Sequence, residues 1–188
     1  MAINKSLLKE LKDKHSLEVF FETGFYHGYS ASTALELGFN KLYSVELLRK
    51  FVDYGNEKFK KEIAEGRVNI IFDDSSNLKD HISSLLDKKV LFWLDAHLDN
   101  GLDTAVNKPT SECPVVQEIS ALSRFKTKPI ILVDDISIIR GKGHGPKGWG
   151  DEQVSVDKII EAINKLPFDY TISYFDNAGV SNDILVAE

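Results

Sequence analysis

Residues 18–30 read EVFFETGFYHGYS, and this stretch decides the fold class. An apolar run between two glutamates comes first, Gly24 and Gly28 follow, and a segment with helical periodicity begins at Ser30. A short apolar strand that passes through a glycine turn into a helix is typical of the first unit of an open α/β sheet. Glycines at such a turn let the backbone approach a ligand closely.

The same alternation of apolar runs and helical segments continues along the chain. Strands are predicted at residues 18–22, 41–46, 67–72, 89–95, 129–134, 170–175 and 184–187. Helices are predicted at residues 3–14, 30–37, 48–63, 76–86, 114–125 and 153–166. Near-continuous apolar runs are typical of parallel strands buried on both faces, and the last two strands flank a turn-rich stretch that favours a hairpin. We therefore expect a Rossmann-like, doubly wound α/β fold with a mostly parallel seven-stranded sheet and a C-terminal antiparallel hairpin.

The composition is that of an ordinary globular chain. Its 188 residues are 43% hydrophobic and 28% charged, with a formal net charge of −6. This charge gives no support for broad binding to nucleic acid, and the single cysteine, Cys113, excludes an internal disulfide and a Cys-cluster zinc site. No run approaches the roughly 18 apolar residues of a membrane span. We expect one soluble, cytoplasmic domain over residues 1–188, with residues 1–16 as a helix packed on its outside.

Ligands of open α/β sheets bind beyond the carboxyl ends of the strands, so the residues after each predicted strand form the candidate site. Gly24 and Gly28 follow the first strand, and Glu46 ends the second, where an acidic side chain can accept both hydrogen bonds of a ribose diol. The dinucleotide fingerprint G-x-G-x-x-G is absent. The combination indicates a nucleoside ligand; the alternative is a tight turn and a solvent-exposed glutamate. Asp74 and Ser75 follow the third strand and either bind a base or cap the next helix.

The fourth and fifth predicted strands both end in carboxylates. Asp95 and then His97 follow one strand, and Asp134 with Asp135 ends the other. Converging carboxylates repel one another, and a divalent cation such as Mg²⁺ resolves the conflict. A hydroxyl bound to that cation becomes more acidic, which prepares an oxygen nucleophile. The alternative is that the aspartates cap the following segment and His97 is an ordinary loop histidine.

Two long connections, residues 98–113 and 140–152, leave strand ends that face this predicted cleft. Connections of this length are usually lids or binding loops. His144 and Trp149 in the second connection are the candidate contacts to an acceptor. Its glycines alone can also explain the length and composition of the segment.

Several of these stretches resemble the motifs of class I S-adenosylmethionine-dependent methyltransferases. Residues 22–30 (ETGFYHGYS) are similar to the first motif, residues 43–46 (YSVE) to the acidic second motif, and residues 93–97 (WLDAH) to the substrate-side fourth motif. Over residues 17–188 the sequence most resembles the branch of macrocin O-methyltransferase and the cephalosporin-hydroxylase-like proteins. That branch holds Mg²⁺ with an aspartate after the fourth strand and an Asp-Asp pair after the fifth.

The resemblance implies a role for each candidate residue. S-adenosylmethionine (SAM) would be held by the residues at the first three strand ends, namely Glu22, Gly24, Gly28, Ser30, Glu46, Asp74 and Ser75. Mg²⁺ would be held by Asp95, Asp134 and Asp135, and His97 would be a general base or a further ligand. Asp95 and His97 are thereby the predicted catalytic residues, although an acidic residue is common at the His97 position in the macrocin-like branch.

The implied activity is a Mg²⁺-assisted O-methyltransferase that acts on a hydroxyl of a small molecule or saccharide, in keeping with related proteins encoded near polysaccharide genes. Neither nucleic acid nor membrane is expected as a partner. A homodimer is compatible with the sequence, because most of the substrate-capping extension of some relatives is missing. The alternatives are a metal-dependent hydrolase, an NAD-linked oxidoreductase, which the missing fingerprint disfavours, and a non-catalytic nucleoside-binding module.

Overall fold

A computed structural model describes residues 3–97, 109–141 and 154–188 of the chain. The acceptor contacts predicted at His144 and Trp149 lie outside the described residues.

Seven strands form one sheet in the order β3-β2-β1-β4-β5-β7-β6. Their bounds are Val19–Thr23 (β1), Lys41–Glu46 (β2), Val68–Phe72 (β3), Val90–Leu94 (β4), Ile130–Val133 (β5), Ile172–Asn177 (β6) and Val180–Ala187 (β7). Strands β1 to β5 pair in parallel, and β7 is antiparallel to both of its neighbours. The predicted mostly parallel, seven-stranded sheet with its C-terminal hairpin is confirmed. The strand order reverses between β1 and β4, the place where open α/β sheets bind ligands.

Helices connect these strands on both faces. The α-helices are Lys5–His15 (α1), Tyr29–Glu36 (α2), Arg49–Lys58 (α3), Lys60–Ala64 (α4), Val115–Ala121 (α5), Ile136–Ile139 (α6) and Val156–Asn164 (α7). Two 3₁₀ helices, Ser75–Asp80 and Leu122–Arg124, complete the described elements. The helix predicted over residues 48–63 is divided into α3 and α4 at Phe59, and α6 has no counterpart among the predictions.

The α-helix predicted over residues 76–86 is wrong. The segment forms the 3₁₀ helix Ser75–Asp80 and then turns. The Asp73 carboxylate accepts hydrogen bonds from the Asp74 amide (2.7 Å) and from Asn77 Nδ2 (3.0 Å), and Asp74 accepts one from the Ser76 amide (2.9 Å). Such short-range bonds compete with a regular helix. The apolar periodicity that suggested a helix is satisfied because Leu78 and Ile82 are both fully buried.

The C-terminal hairpin is longer than predicted, since β7 begins at Val180 rather than at residue 184. Ala178 and Gly179 connect the strands with positive φ angles of 48° and 86°. Two positive φ angles in a two-residue connection match the twist of antiparallel strands. Asn177, the last residue of β6, contacts Asp134, the residue that follows β5.

Each face of the sheet carries one apolar cluster. Leu8 of α1 shares a buried cluster with Phe20 of the sheet on one face. On the other face, Phe92 shares a cluster with Ile119 of α5 and Ile159 of α7. All residues of β1, β4 and β5 are buried, so their carboxyl ends are fixed by packing on both sides. In the described part of the chain, none of the helices has the length and apolar character needed to cross a membrane.

The packing of α1 predicts that it contributes to stability. Replacing Leu8, which is fully buried, with alanine removes apolar contacts and leaves a cavity. We expect Leu8→Ala to lower the free energy of unfolding by about 2–5 kcal/mol. Glu10→Ala, on the exposed side of the same helix, is the control and should change it by less than about 0.5 kcal/mol. Urea unfolding measures both, and equal effects of the two substitutions would contradict the packing of α1 on the sheet.

Candidate cofactor and metal site

A cavity of about 330 Å³ opens at the carboxyl ends of the parallel strands. Of the residues predicted from the sequence, it brings together Gly24, Glu46, Asp74, Ser75, Asp95, His97 and Asp135 in its wall. Tyr26, Leu48 and Phe51 add apolar surface. The cavity therefore spans the switch point between β1 and β4.

Gly24 forms the turn at the end of β1. Its φ angle is +83°, and a Cβ atom there would lie 2.5 Å from the carbonyl oxygen of Asp95. No side chain fits that distance, so a glycine is required where the β1 turn crosses the end of β4. The Gly24 amide also donates to the carbonyl oxygen of Val45 on β2 (2.9 Å). The turn thus fixes three strand ends relative to one another.

The other residues of the first motif lie outside the cavity wall. Gly28 is the N-cap of α2, with a φ angle of +65°, and a Cβ atom there would lie 2.5 Å from the ring of Phe25. Ser30 Oγ donates to Glu22 Oε2 at 2.6 Å in a buried contact. Burial raises the pKa of Glu22 to about 8. These three residues hold α2 against β1 behind the wall, and their predicted contact with a cofactor stays a prediction.

Glu46 is the best-placed acid in the cavity. Its side chain is only 6% exposed, Oε2 accepts a hydrogen bond from the Tyr26 amide (2.8 Å), and Oε1 accepts one from the Leu48 amide (2.7 Å). Burial raises the pKa of Glu46, and the amide donors act in the opposite direction. A carboxylate oxygen can accept more than one hydrogen bond. Glu46 is therefore oriented by the backbone and still able to accept two hydroxyl groups of a ligand.

The sequence left two roles open for Asp74, capping of the next helix and binding of a base, and the structure shows the first of them. Its Oδ1 accepts from the Ser76 amide at the start of the 3₁₀ helix, and its Oδ2 accepts from the Thr110 amide (2.6 Å). Asp74 is thus a cap, and it also fastens the segment that follows the undescribed residues 98–108 to the cavity wall. Its role at a base, like that of Ser75, stays a prediction.

The imidazole of His97 stands between two carboxylates. Its Nε2 lies 2.5 Å from Asp135 Oδ2 and 3.2 Å from Asp95 Oδ1. Burial lowers the pKa of His97, but its hydrogen bonds to Asp135 and Asp95 outweigh that effect and raise the pKa to about 9. One ligating atom from each of the three residues lies within 4.8 Å of the others. The arrangement could hold a metal ion through one nitrogen and two oxygens.

Asp134 is not one of the three residues whose ligating atoms come together with His97. It is 4% exposed, its Oδ1 accepts a hydrogen bond from Asn177 Nδ2 (3.0 Å), and it lies outside the cavity wall. Burial and the charges of Asp95 and Asp135 raise its pKa to about 8. Among the described residues, the predicted trio of Asp95, Asp134 and Asp135 does not form one cluster of ligands, and His97 completes the trio instead.

The two adjacent aspartates have different partners, although one carboxylate oxygen of each lies within 4.8 Å of the other and of an oxygen of Asp183. Asp135 has a φ angle of +56°, in the left-handed region that aspartate tolerates, and is the N-cap of α6. Asp183 of β7 secures the start of that helix, since its Oδ1 accepts from the Ser137 amide (2.9 Å). Neither Asn177 nor Asp183 was anticipated, because residues of a hairpin carry no pattern that relates them to a distant loop.

Solved structures of three proteins resemble this chain over nearly all of its length. A protein assigned as an O-methyltransferase from Klebsiella pneumoniae is 16% identical with a TM-score of 0.69, and the match covers 100% of this chain and 80% of that one. A protein assigned as an rRNA methylase from Clostridium thermocellum is 16% identical with a TM-score of 0.64, covering 100% and 98%. The O-methyltransferase TomG from Streptomyces achromogenes, solved in complex with SAM, is 12% identical with a TM-score of 0.63, covering 97% and 78%.

The chain has the class I methyltransferase fold. No protein-family model matches the sequence, and neither does any curated protein. At these identities the likeness concerns the fold, so the chemistry has to be argued from the site itself.

The burial of one further acidic residue, Glu118, was not predicted from the sequence. Glu118 of α5 is 1% exposed, and burial raises its pKa to about 8, with the charges of Asp74 and Asp95 adding to the effect. Its position could have been recognised, because it falls on the apolar stripe of α5 that Val115, Ile119 and Leu122 form. At neutral pH the Glu118 side chain is mainly protonated.

The raised pKa of Glu118 predicts a pH dependence of stability. The folded protein retains a proton there that the unfolded chain releases near pH 4.3, so stability falls as the pH rises from about 4.3 to about 8. Glu118→Gln keeps the neutral form at every pH and should reduce this fall, by at most about 1.4 kcal/mol per pH unit. Urea unfolding at pH 5 and pH 8 measures the difference, with the exposed Glu10→Gln as control. An unchanged slope in Glu118→Gln would contradict the assignment.

Proposed function

We propose that the protein is a SAM-dependent O-methyltransferase that acts on a hydroxyl group of a small molecule or saccharide. The observation that carries the proposal is Glu46, a buried carboxylate that two backbone amides orient in the wall of the cavity beside Gly24. The class I methyltransferase fold and the SAM bound in TomG support the same ligand. The cytoplasmic location, the organisation as a single domain and the homodimer stay predictions.

The cavity suits the three parts of the cofactor. Glu46 would accept the hydrogen bonds of the ribose diol, the methionine part would lie along the turn at Gly24, and the adenine would lie beside Asp74 and Ser75. A volume of about 330 Å³ is within the roughly 300–1,000 Å³ typical of small-molecule sites. SAM carries a positive sulfonium, which the acidic wall of this cavity favours.

The acceptor would bind at the opposite end, beside Asp95, His97 and Asp135. A hydroxyl oxygen attacks the methyl carbon, the new O–C bond forms as the S–C bond breaks, and the products are the methyl ether, S-adenosylhomocysteine and a proton. The three side chains present a donor set that fits a divalent cation, which would lower the pKa of the hydroxyl. The sequence indicates Mg²⁺ for that role. His97 Nε2 lies between both carboxylates. Because the pKa of His97 is raised to about 9, the imidazole must first release its own proton before Nε2 could receive the proton of the hydroxyl or bind the ion.

Calorimetric titration with S-adenosylhomocysteine tests the cofactor. We expect micromolar binding to the wild type and no binding of NAD⁺. Glu46→Ala removes the acceptor of the ribose hydrogen bonds and should weaken binding at least tenfold, which corresponds to about 1.4 kcal/mol. Asp53→Ala, an exposed acid of α3, is the control and should bind like the wild type.

Absence of S-adenosylhomocysteine binding to the wild type would overturn the proposal. The acidic group of Asp95, His97 and Asp135 would then be assigned to a metal-dependent hydrolase. Binding without methyl transfer to any hydroxyl acceptor would point to a nucleoside-binding module.

The acidic end of the cavity is tested by Asp135→Asn. Asparagine tolerates the left-handed backbone at this position but removes one charge next to His97. We expect methyl transfer to fall at least 100-fold while the dissociation constant of S-adenosylhomocysteine changes less than about threefold. Such a split would show that Asp135 acts on the acceptor side. Full activity of Asp135→Asn in the presence of EDTA would contradict both the role of Asp135 and the use of a cation.

A further inference from the structure

We infer that the group of Asp95, His97 and Asp135 is a mixed nitrogen and oxygen site that binds Mn²⁺ or Co²⁺ in preference to Mg²⁺. The use of such an ion in methyl transfer rests on the proposed function. The preference itself rests on the donor atoms that the fold brings together.

The first observation is the identity of the three donors. His97 Nε2 points at Asp135 Oδ2 and at Asp95 Oδ1 rather than into solvent, and the ligating atoms all lie within 4.8 Å of one another. Each of these side chains belongs to the cavity wall. An ion bound there would therefore contact an imidazole nitrogen and remain accessible to an acceptor oxygen.

The second observation explains why the site is not built from three carboxylates. Asn177 Nδ2 donates to Asp134 Oδ1, and this contact keeps Asp134 on the hairpin side of the chain. Asp134 Oδ2 is buried and accepts no hydrogen bond among the described residues. Because this carboxyl group lies outside the cavity wall, it adds no ligand oxygen to the group of Asp95, His97 and Asp135. The hydrogen bond from Asn177 thus leaves the third ligand position to His97.

The donor set decides the class of ion. Mg²⁺ prefers oxygen ligands and retains its waters, so an imidazole nitrogen is a poor ligand for it. Imidazole suits transition-series ions, whose affinity for a given nitrogen and oxygen site rises from Mn²⁺ to Co²⁺ and beyond. Three protein donors leave further positions for water and an acceptor hydroxyl. The chain therefore departs from the Mg²⁺ assignment based on carboxylates alone.

Metal titration of the EDTA-treated protein tests the inference. Mg²⁺, Mn²⁺ and Co²⁺ are titrated separately, and electron spin echo spectroscopy of the Mn²⁺ sample detects a coordinated nitrogen. We expect the wild type to bind Mn²⁺ and Co²⁺ at least tenfold more tightly than Mg²⁺, with a clear nitrogen coupling. His97→Asp should lose the coupling and narrow the ratio of the Mn²⁺ and Mg²⁺ affinities to less than about threefold.

A matched control is provided by His15, which lies 2.7 Å from a Glu188 oxygen in a similar histidine–carboxylate pair far from the cavity. His15→Asn should keep both the metal preference and the nitrogen coupling. Circular dichroism verifies that each variant folds, and His97→Gln replaces His97→Asp if the additional carboxylate prevents folding. With His97→Gln, the nitrogen coupling and the preference for Mn²⁺ should likewise disappear.

Three results would overturn the inference: no ion binding to the wild type, tighter binding of Mg²⁺ than of Mn²⁺, or a nitrogen coupling that persists when His97 is replaced. Titration of the same samples with S-adenosylhomocysteine separates this failure from that of the proposed function. If the wild type binds S-adenosylhomocysteine but shows no preference for Mn²⁺ or Co²⁺, only the mixed metal site is rejected. If the wild type does not bind S-adenosylhomocysteine, the methyltransferase proposal is rejected.

Discussion

The site depends on one close approach of two backbone segments, that of Gly24 to the carbonyl oxygen of Asp95. Any Cβ atom at Gly24 would lie 2.5 Å from that oxygen, so the turn after β1 can cross the end of β4 only as glycine. The crossing places the Tyr26 amide where it can hold Glu46 and places Asp95 at the cavity wall. The same turn therefore positions both the cofactor end and the acceptor end of the cavity. It lies at the switch point, where the two halves of the sheet meet.

A second constraint is the amount of negative charge gathered around the cavity. Glu22, Glu118 and Asp134 are almost fully buried, and burial raises the pKa of each to about 8. Protonation is the simplest way for the folded chain to hold these groups, because an isolated buried carboxylate is costly. Burial raises the pKa of Glu46 as well, although its two amide donors act in the opposite direction. The three acids behind the wall can thus be accommodated without an isolated buried charge.

The sequence allows the sheet to be predicted well, because apolar runs and turn residues are local properties of the chain. The predicted bounds of β2 agree with the structure, and Glu46 lies where its strand end required. The 3₁₀ helix at Ser75–Asp80 was missed because hydrogen bonds from backbone amides to the carboxylates of Asp73 and Asp74 compete with a regular α-helix. The burial of Glu118 could have been predicted from its place on the apolar face of α5. The contact of Asn177 with Asp134 could not, since the two residues meet only after the hairpin folds onto β5.

The pair Asp134 and Asp135 shows most clearly where such reasoning stops. Both are aspartates at the end of one strand, so the sequence pattern predicts the same role for each of them. The left-handed backbone of Asp135 directs it to the cavity and to His97, whereas Asp134 continues the buried side of β5 and meets Asn177. Asp135 therefore lines the cavity and Asp134 does not, although the two residues are adjacent in the sequence. The bond from the Ser137 amide to Asp183 ties the start of α6, which Asp135 precedes, to β7, so the wall of the cavity at Asp135 is supported by the hairpin at the far end of the chain.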